Sequence, residues 1–149
     1  ALALSKEEVY TLASIVEEET NKQDDKGKIA SVYLNRVRIG MKLAADPTVK
    51  FAMRDFTLKR IYNKHLTFPS PYNTYLNKGL PPGPICTPSI KTIDATLNAP
   101  QTEFIFFVAR DDFSGYSDFS VTYEQHLIYA NEYREALDRE MRKRDSLGK

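Results

Sequence analysis

Cysteine is almost missing from this chain of 149 residues, because Cys86 stands alone. No internal disulfide can brace the fold, and a lone thiol says nothing about the redox compartment. Long apolar runs are missing too. No stretch approaches the roughly 20 residues that span a bilayer, and the opening ALALSKEEV lacks the basic-then-apolar layout of a secretion signal. The chain reads as a soluble piece, compatible with a longer parent that carries an anchor elsewhere. An excess of one charge is also lacking. The 21 basic and 20 acidic side chains leave a net charge of +1, so the chain has none of the surplus that drives binding to phosphate backbones, and nucleic acid is not an expected partner. The two histidines, His65 and His126, share no metal-ligand spacing with Cys86 or with the acids. No metal and no cofactor is expected.

What is present suits one globular domain, residues 1–149: hydrophobic content is 42% and aromatic content 11%. Ser5 followed by Glu8 is a capping-box pattern, and Val9, Leu12, Ala13, Ile15 and Val16 recur at helical spacing, which predicts a helix from Lys6 to about Thr20. A second helix is expected from about Lys28 to Ile39, with Gly40 as its stop. Between Met41 and Pro88 seven of the eight prolines accumulate, together with Phe51, Phe56, Ile61, Tyr62, Phe68, Tyr72 and Tyr75. That texture predicts a long ordered loop with brief strands or turns. Thr87 and Pro88 suggest the start of a short helix to about Asn98. TEFIFFVAR, a DDFSG turn and YSDFSV predict a hairpin. A last helix is expected from about Thr122 to Arg142, apolar first and then charged. The fold class is α+β: helices packed around a small β-hairpin, with the proline-rich loop lining a groove.

One carboxylate in the first helix is out of place. At about 100° per residue from Leu12, the apolar stripe centres near 20°, and Glu19 falls at about 340°, inside it. Glu17 and Glu18 fall at about 140° and 240°, toward rim and solvent. A carboxyl set against apolar surface loses hydration in its charged form, so its pKa rises and it can hold a proton near neutrality. Such a group can protonate a leaving oxygen, as glycosidic cleavage requires. The same pattern also fits a frayed helix end or a Glu19 paired with a cation.

The strings TLASIVEEET, IASVYLNRVRIGMKLAADPTV and SPYNTYLNKGLPPGPI, followed by TEFIFFVAR and FSVTYEQH, resemble the MltG/YceG-like family of endolytic murein transglycosylases over nearly the whole chain. The resemblance implies that Glu19, the last glutamate of SIVEEET, is the catalytic acid. It implies cleavage of the β-1,4 bond between N-acetylmuramic acid and N-acetylglucosamine without water, leaving a 1,6-anhydro end. It also implies peptidoglycan glycan strands as substrate, cell-wall synthesis proteins as potential partners, and a location in the cell envelope on a parent anchored in the cytoplasmic membrane. The chain departs from the family's commoner texture at Lys50 and Phe51, and at Ser117 in the hairpin.

With that resemblance, Asp46 and Thr48 of the DPTV loop become candidates to contact sugar or orient Glu19, although Asp before Pro also starts turns. Tyr72, Asn73 and Tyr75 combine rings with amide and hydroxyl groups suited to sugar faces and N-acetyl groups; a loop held by its own hydrogen bonds fits equally. Asn35 either crosses toward Glu19 or ties helix to loop. Pro81, Pro82 and Pro84 could stiffen a groove wall. Cys86 is read as a packed side chain and His126 as a packing or hydrogen-bonding residue. Two rivals stay open: a lysozyme-like hydrolase using Glu19 and Asp46 as paired carboxylates, and a non-catalytic peptidoglycan-binding or scaffold module.

Overall fold

Ser5 opens the first helix as its pattern predicts: its hydroxyl accepts from the Glu8 N–H at 3.1 Å and the Glu8 carboxylate accepts from the Ser5 N–H at 3.0 Å. This computed structural model describes residues 4–58 and 60–148, and helix α1 runs Lys6–Glu19. Helix α2 runs Gln23–Arg38, starting well before the expected Lys28. Gly27 does not delay it, because the missing side chain is needed there: a Cβ would lie 3.1 Å from Pro100 Cδ. At the other end Gly40 takes φ +74°, the left-handed conformation that ends a helix without steric cost.

The proline-rich stretch is less irregular than expected. Asp46–Met53 form a helix, α3, and Asn63–His65 a single 3₁₀ turn. The DPTV residues therefore start a helix and are not loop. Pro47 sits within its first two positions, where a missing N–H costs nothing. Helix α4 runs Ile90–Leu97, capped by Ser89, whose hydroxyl accepts from the Thr92 N–H at 3.2 Å; Thr87 and Pro88 lie outside it.

Residues 1–102 form one compact unit and 103–149 a second. In the first, α1 packs on α2, α3 and α4, and α2 packs on α4. Leu12, Ile15, Val16, Ile29, Val32, Leu43 and Val49 are buried between them, each worth about 1.5–3 kcal/mol of transfer from water. In the second, β1 (Phe106–Ala109) pairs antiparallel with β2 (Ser117–Ser120), with Phe107 opposite Phe119. The ladder is shorter than TEFIFFVAR suggested. Helix α5, Tyr123–Leu147, packs on this hairpin, with His126 stacked on Phe106 at 4.9 Å between ring centroids. It continues past the expected Arg142, and its last turns are exposed. The architecture is α+β, as expected. Among the described residues no helix is long and apolar enough to cross a membrane.

Candidate active site

The three consecutive carboxylates at the end of α1 have three different environments. Glu17 turns toward α4, where it accepts from the Ser89 N–H at 2.6 Å and the Thr92 hydroxyl at 3.1 Å and faces Lys26 Nζ at 3.7 Å. Those partners, the Ser89 amide first, lower its pKa. Glu18 is exposed. Glu19 is the last helical residue, held by the Thr20 N–H to Val16 C=O closure of the final turn. The helix does not fray before it.

Glu19 accepts a hydrogen bond from the Tyr33 hydroxyl, 2.7 Å from Oε1. The residue keeps partial solvent access, while its carboxyl group is packed among protein atoms. That burial is the main reason its pKa rises from 4.5 to about 7, and the nearby Asp46 charge adds to it; the Tyr33 bond and the Lys50 and Arg36 cations oppose the rise. A carboxyl poised there is populated in both protonation states at neutral pH. Tyr33 is itself 2% exposed. Burial and the adjacent Glu19 push its phenol well above the ordinary 10, so it remains a donor.

Tyr33 and Arg36, three residues apart on α2, both face the interior. The Arg36 guanidinium donates to Leu43 C=O at 2.7 Å and Met41 N–H donates to Arg36 C=O at 2.8 Å, which fixes the chain leading into Asp46. Ala44 within that lead-in takes φ +49°, a conformation costly for a residue with a Cβ. It is held there by its N–H to Thr74 C=O at 3.2 Å. Asp46, exposed at the start of α3, accepts from the Tyr75 hydroxyl. Burial, and then that bond, raise the Tyr75 pKa. Two carboxylate–tyrosine pairs, Glu19 with Tyr33 and Asp46 with Tyr75, thus lie within electrostatic reach of each other and of Arg36.

The other sequence candidates are placed differently. Thr48 and Asn73 are fully buried and present no surface to a sugar. Thr48 Oγ1 donates to Ala45 C=O at 2.7 Å and pairs with the Thr74 hydroxyl at 2.8 Å. Asn73 Nδ2 donates to Leu66 and Phe68 carbonyls at 3.0 and 2.8 Å while its Oδ1 accepts from the Tyr75 N–H at 2.9 Å. Both residues hold the loop that presents Tyr75. Tyr72 is half-buried, its ring 4.8 Å from that of Phe51. Asn35 donates to Thr102 C=O at 2.9 Å, so it ties helix to loop. Pro82 and Pro84 wall a cavity of about 420 Å³ with Lys6 and Tyr10. Tyr10 lies about 14 Å up the helix axis from Glu19, so the cavity these prolines wall is separate from the Glu19 carboxyl. The Cys86 thiol donates to Ser14 C=O at 3.3 Å and burial pushes its pKa up to about 12, as a packed, unreactive side chain requires.

Tyr33, Arg36 and Lys50 were not singled out as site residues from the sequence. A signal existed for two of them: Tyr33 and Arg36 share the apolar face of α2 with Ile29 and Val32, and an arginine there is as misplaced as Glu19 is on α1.

Fold and site together define an α+β protein that holds one proton-carrying carboxyl among buried polar partners. Residues 1–132 match the family model described as the YceG-like family, and the chain belongs to that family. It is 38% identical over 123 residues to an endolytic murein transglycosylase of Bacillus subtilis (strain 168), covering 83% of this chain and 33% of that protein. It is 34% identical over 110 residues to an endolytic murein transglycosylase of Streptococcus pneumoniae serotype 2, covering 71% of this chain and 20% of that protein. The crystal structure of a YceG-like protein from Listeria monocytogenes superposes with a TM-score of 0.77 at 37% identity, covering 83% of this chain and 39% of that one. The chain spans a third or less of the length of the two transglycosylases.

Proposed function

We propose that this chain is the catalytic domain of an endolytic lytic transglycosylase, with Glu19 as its acid and then its base. The observation that carries this is the Glu19 carboxyl: raised to about 7 by burial, gripped on Oε1 by Tyr33, and partly open to solvent. The family match runs through residue 132, across the boundary between the two compact units, which supports taking residues 1–149 as one catalytic domain.

In the first step protonated Glu19 gives its proton to the glycosidic oxygen as the bond from muramic acid C1 to that oxygen breaks. The carboxylate left behind is favoured by the Tyr33 bond and by the Arg36 and Lys50 cations. It then takes the proton of the muramic acid 6-hydroxyl while O6 bonds to C1. The proton returns to Glu19, no water is consumed, and a 1,6-anhydro end results. A single carboxyl poised near neutrality suits both directions of transfer. A binding or scaffold module would have no need of this poise.

Asp46 favours a second reading. Its carboxylate is oriented by Tyr75 and acts on Glu19 through space, as the partner acid of a hydrolase would. Digestion of purified sacculi separates the two by the mass of the new ends, anhydro for the transglycosylase and reducing for the hydrolase. Glu19→Gln is expected to abolish cutting and spare binding; retained cutting would overturn the assignment. The murein that the relatives are named for supports a place in the cell envelope; a parent anchored in the cytoplasmic membrane, working beside wall-synthesis proteins, is the further part of this proposal and rests on the family resemblance alone.

A further inference from the structure

Beside the Glu19 site lies a hollow lined by Glu18, Pro47, Lys50, Phe51, Phe56 and Ile85. Its volume is about 150 Å³, well below the several hundred of a pocket that engulfs a whole ligand. A substituted sugar does not fit inside it; one amino-acid side chain with some backbone does. Its walls argue the same way. Four of the six lining residues, Pro47, Phe51, Phe56 and Ile85, are hydrocarbon, and the other two, Glu18 and Lys50, carry opposite charges, a mixture that offers an apolar side chain and a charged backbone end a place together. Phe56 is 70% exposed, an aromatic ring left at the rim with no core to fill. Among the described residues no carboxylate forms an ion pair with the Lys50 ammonium.

The hollow is joined to the acid by its own residues. Glu18 precedes Glu19, Pro47 follows Asp46, and the Lys50 charge acts on Glu19 directly. Whatever occupies it is therefore attached to, or next to, the sugar being cut.

We propose that this hollow is a subsite for the peptide stem of the muramic residue beside the scissile bond, with Phe51 and Phe56 against an apolar side chain, Lys50 facing a stem carboxylate and Glu18 a stem amine or amide N–H. It rests on the glycan-cutting reading above and adds to it a peptide requirement. Muramic acid carries its peptide on the lactyl group, next to the C4 end of the same sugar ring whose C1 is released. A strand positioned for attack by Glu19 thus brings peptide to this side of the site. The charge pair matches a chain that bears both signs, which neither a bare glycan nor a lipid tail does.

The test uses glycan strands bearing stems and the same strands stripped of stems by an amidase, with the purified protein and its Phe56→Ala and Phe56→Leu variants. Because Phe56 is mostly exposed, neither variant threatens the fold. The unaltered protein is expected to favour stem-bearing strands about tenfold in kcat/KM, the scale of one well-placed aromatic contact. Phe56→Ala is expected to bring that ratio close to unity with stripped strands cut as before, and Phe56→Leu to restore most of it. Equal cutting of both strands by the unaltered protein, or an unchanged ratio in Phe56→Ala, would overturn the subsite and leave the glycan-cutting reading intact. If neither strand is cut, that reading fails instead, and calorimetry with a muramyl tetrapeptide then decides the hollow: weaker binding by Phe56→Ala supports it, and equal binding by both proteins refutes it.

Discussion

Replacing Glu19 by Gln should uncouple stability from pH in a way that surface carboxylates cannot. The Glu19 pKa is about 7 in the folded protein against an ordinary 4.5. A group raised on folding contributes stability that is fully present below about 4.5 and is lost as pH rises through about 7. At about 1.4 kcal/mol per pH unit, the gap amounts to about 3 kcal/mol. Glutamine has the same shape and can still accept from Tyr33, but has no proton to lose. Urea unfolding of both proteins at pH 4.5 and pH 9 gives a double difference that cancels the titrating groups not coupled to Glu19. The variant should be close to the parent at pH 4.5 and gain about 3 kcal/mol relative to it by pH 9. In thermal melts this is roughly 6–12 °C at about 2–4 °C per kcal/mol for a chain of this size. Parallel stability curves for the two proteins would mean that Glu19 titrates as a solvated carboxylate, and the proton-donor role would lose its physical basis.

Three further substitutions probe the surroundings. Tyr33→Phe removes a bond that lowers the Glu19 pKa, so the alkaline limb of the pH–rate profile should move to higher pH, with about 1–3 kcal/mol of stability lost; a limb that stays or moves down contradicts the pairing. Asp46→Asn removes a charge that raises the Glu19 pKa and should move that limb to lower pH while anhydro ends are still formed; loss of cutting with Tyr75 still in place would favour the paired-carboxylate hydrolase. Asn73→Ala strands the Leu66 and Phe68 carbonyls and the Tyr75 N–H, and should cost about 2–4 kcal/mol in denaturant unfolding; a change below about 0.5 kcal/mol would show that the loop is held by other means.

Periodicity made Glu19 legible because helix α1 is regular and its apolar stripe is clean, so one misplaced carboxylate stands out. The capping box at Ser5 and the stop at Gly40 were equally readable, since each is a local device. Helix α2 begins earlier than the expected Lys28 and takes in Gly27, a poor helix former by itself; only the packing of Pro100 against it reveals why a glycine belongs there. Helix α3 was hidden by the prolines around it, although Pro47 at its first turn is a helix-starting position. For Thr48 and Asn73 the motif marked importance and not its kind. The Thr48 hydroxyl is spent between the start of α3 and Thr74, and the Asn73 amide inside its own loop, a fact set by tertiary contacts that spacing does not encode. Arg36 and Lys50 act on Glu19 from α2 and α3, and such convergence appears only when the helices are packed.

The most direct test of the central claim is digestion of purified peptidoglycan in water enriched in oxygen-18, followed by mass analysis of the new ends. A single carboxyl serving as acid and then base predicts anhydro-muramic ends free of the heavy isotope, and none at all from Glu19→Gln. Reducing ends carrying the heavy oxygen, or anhydro ends still produced by Glu19→Gln, would contradict it.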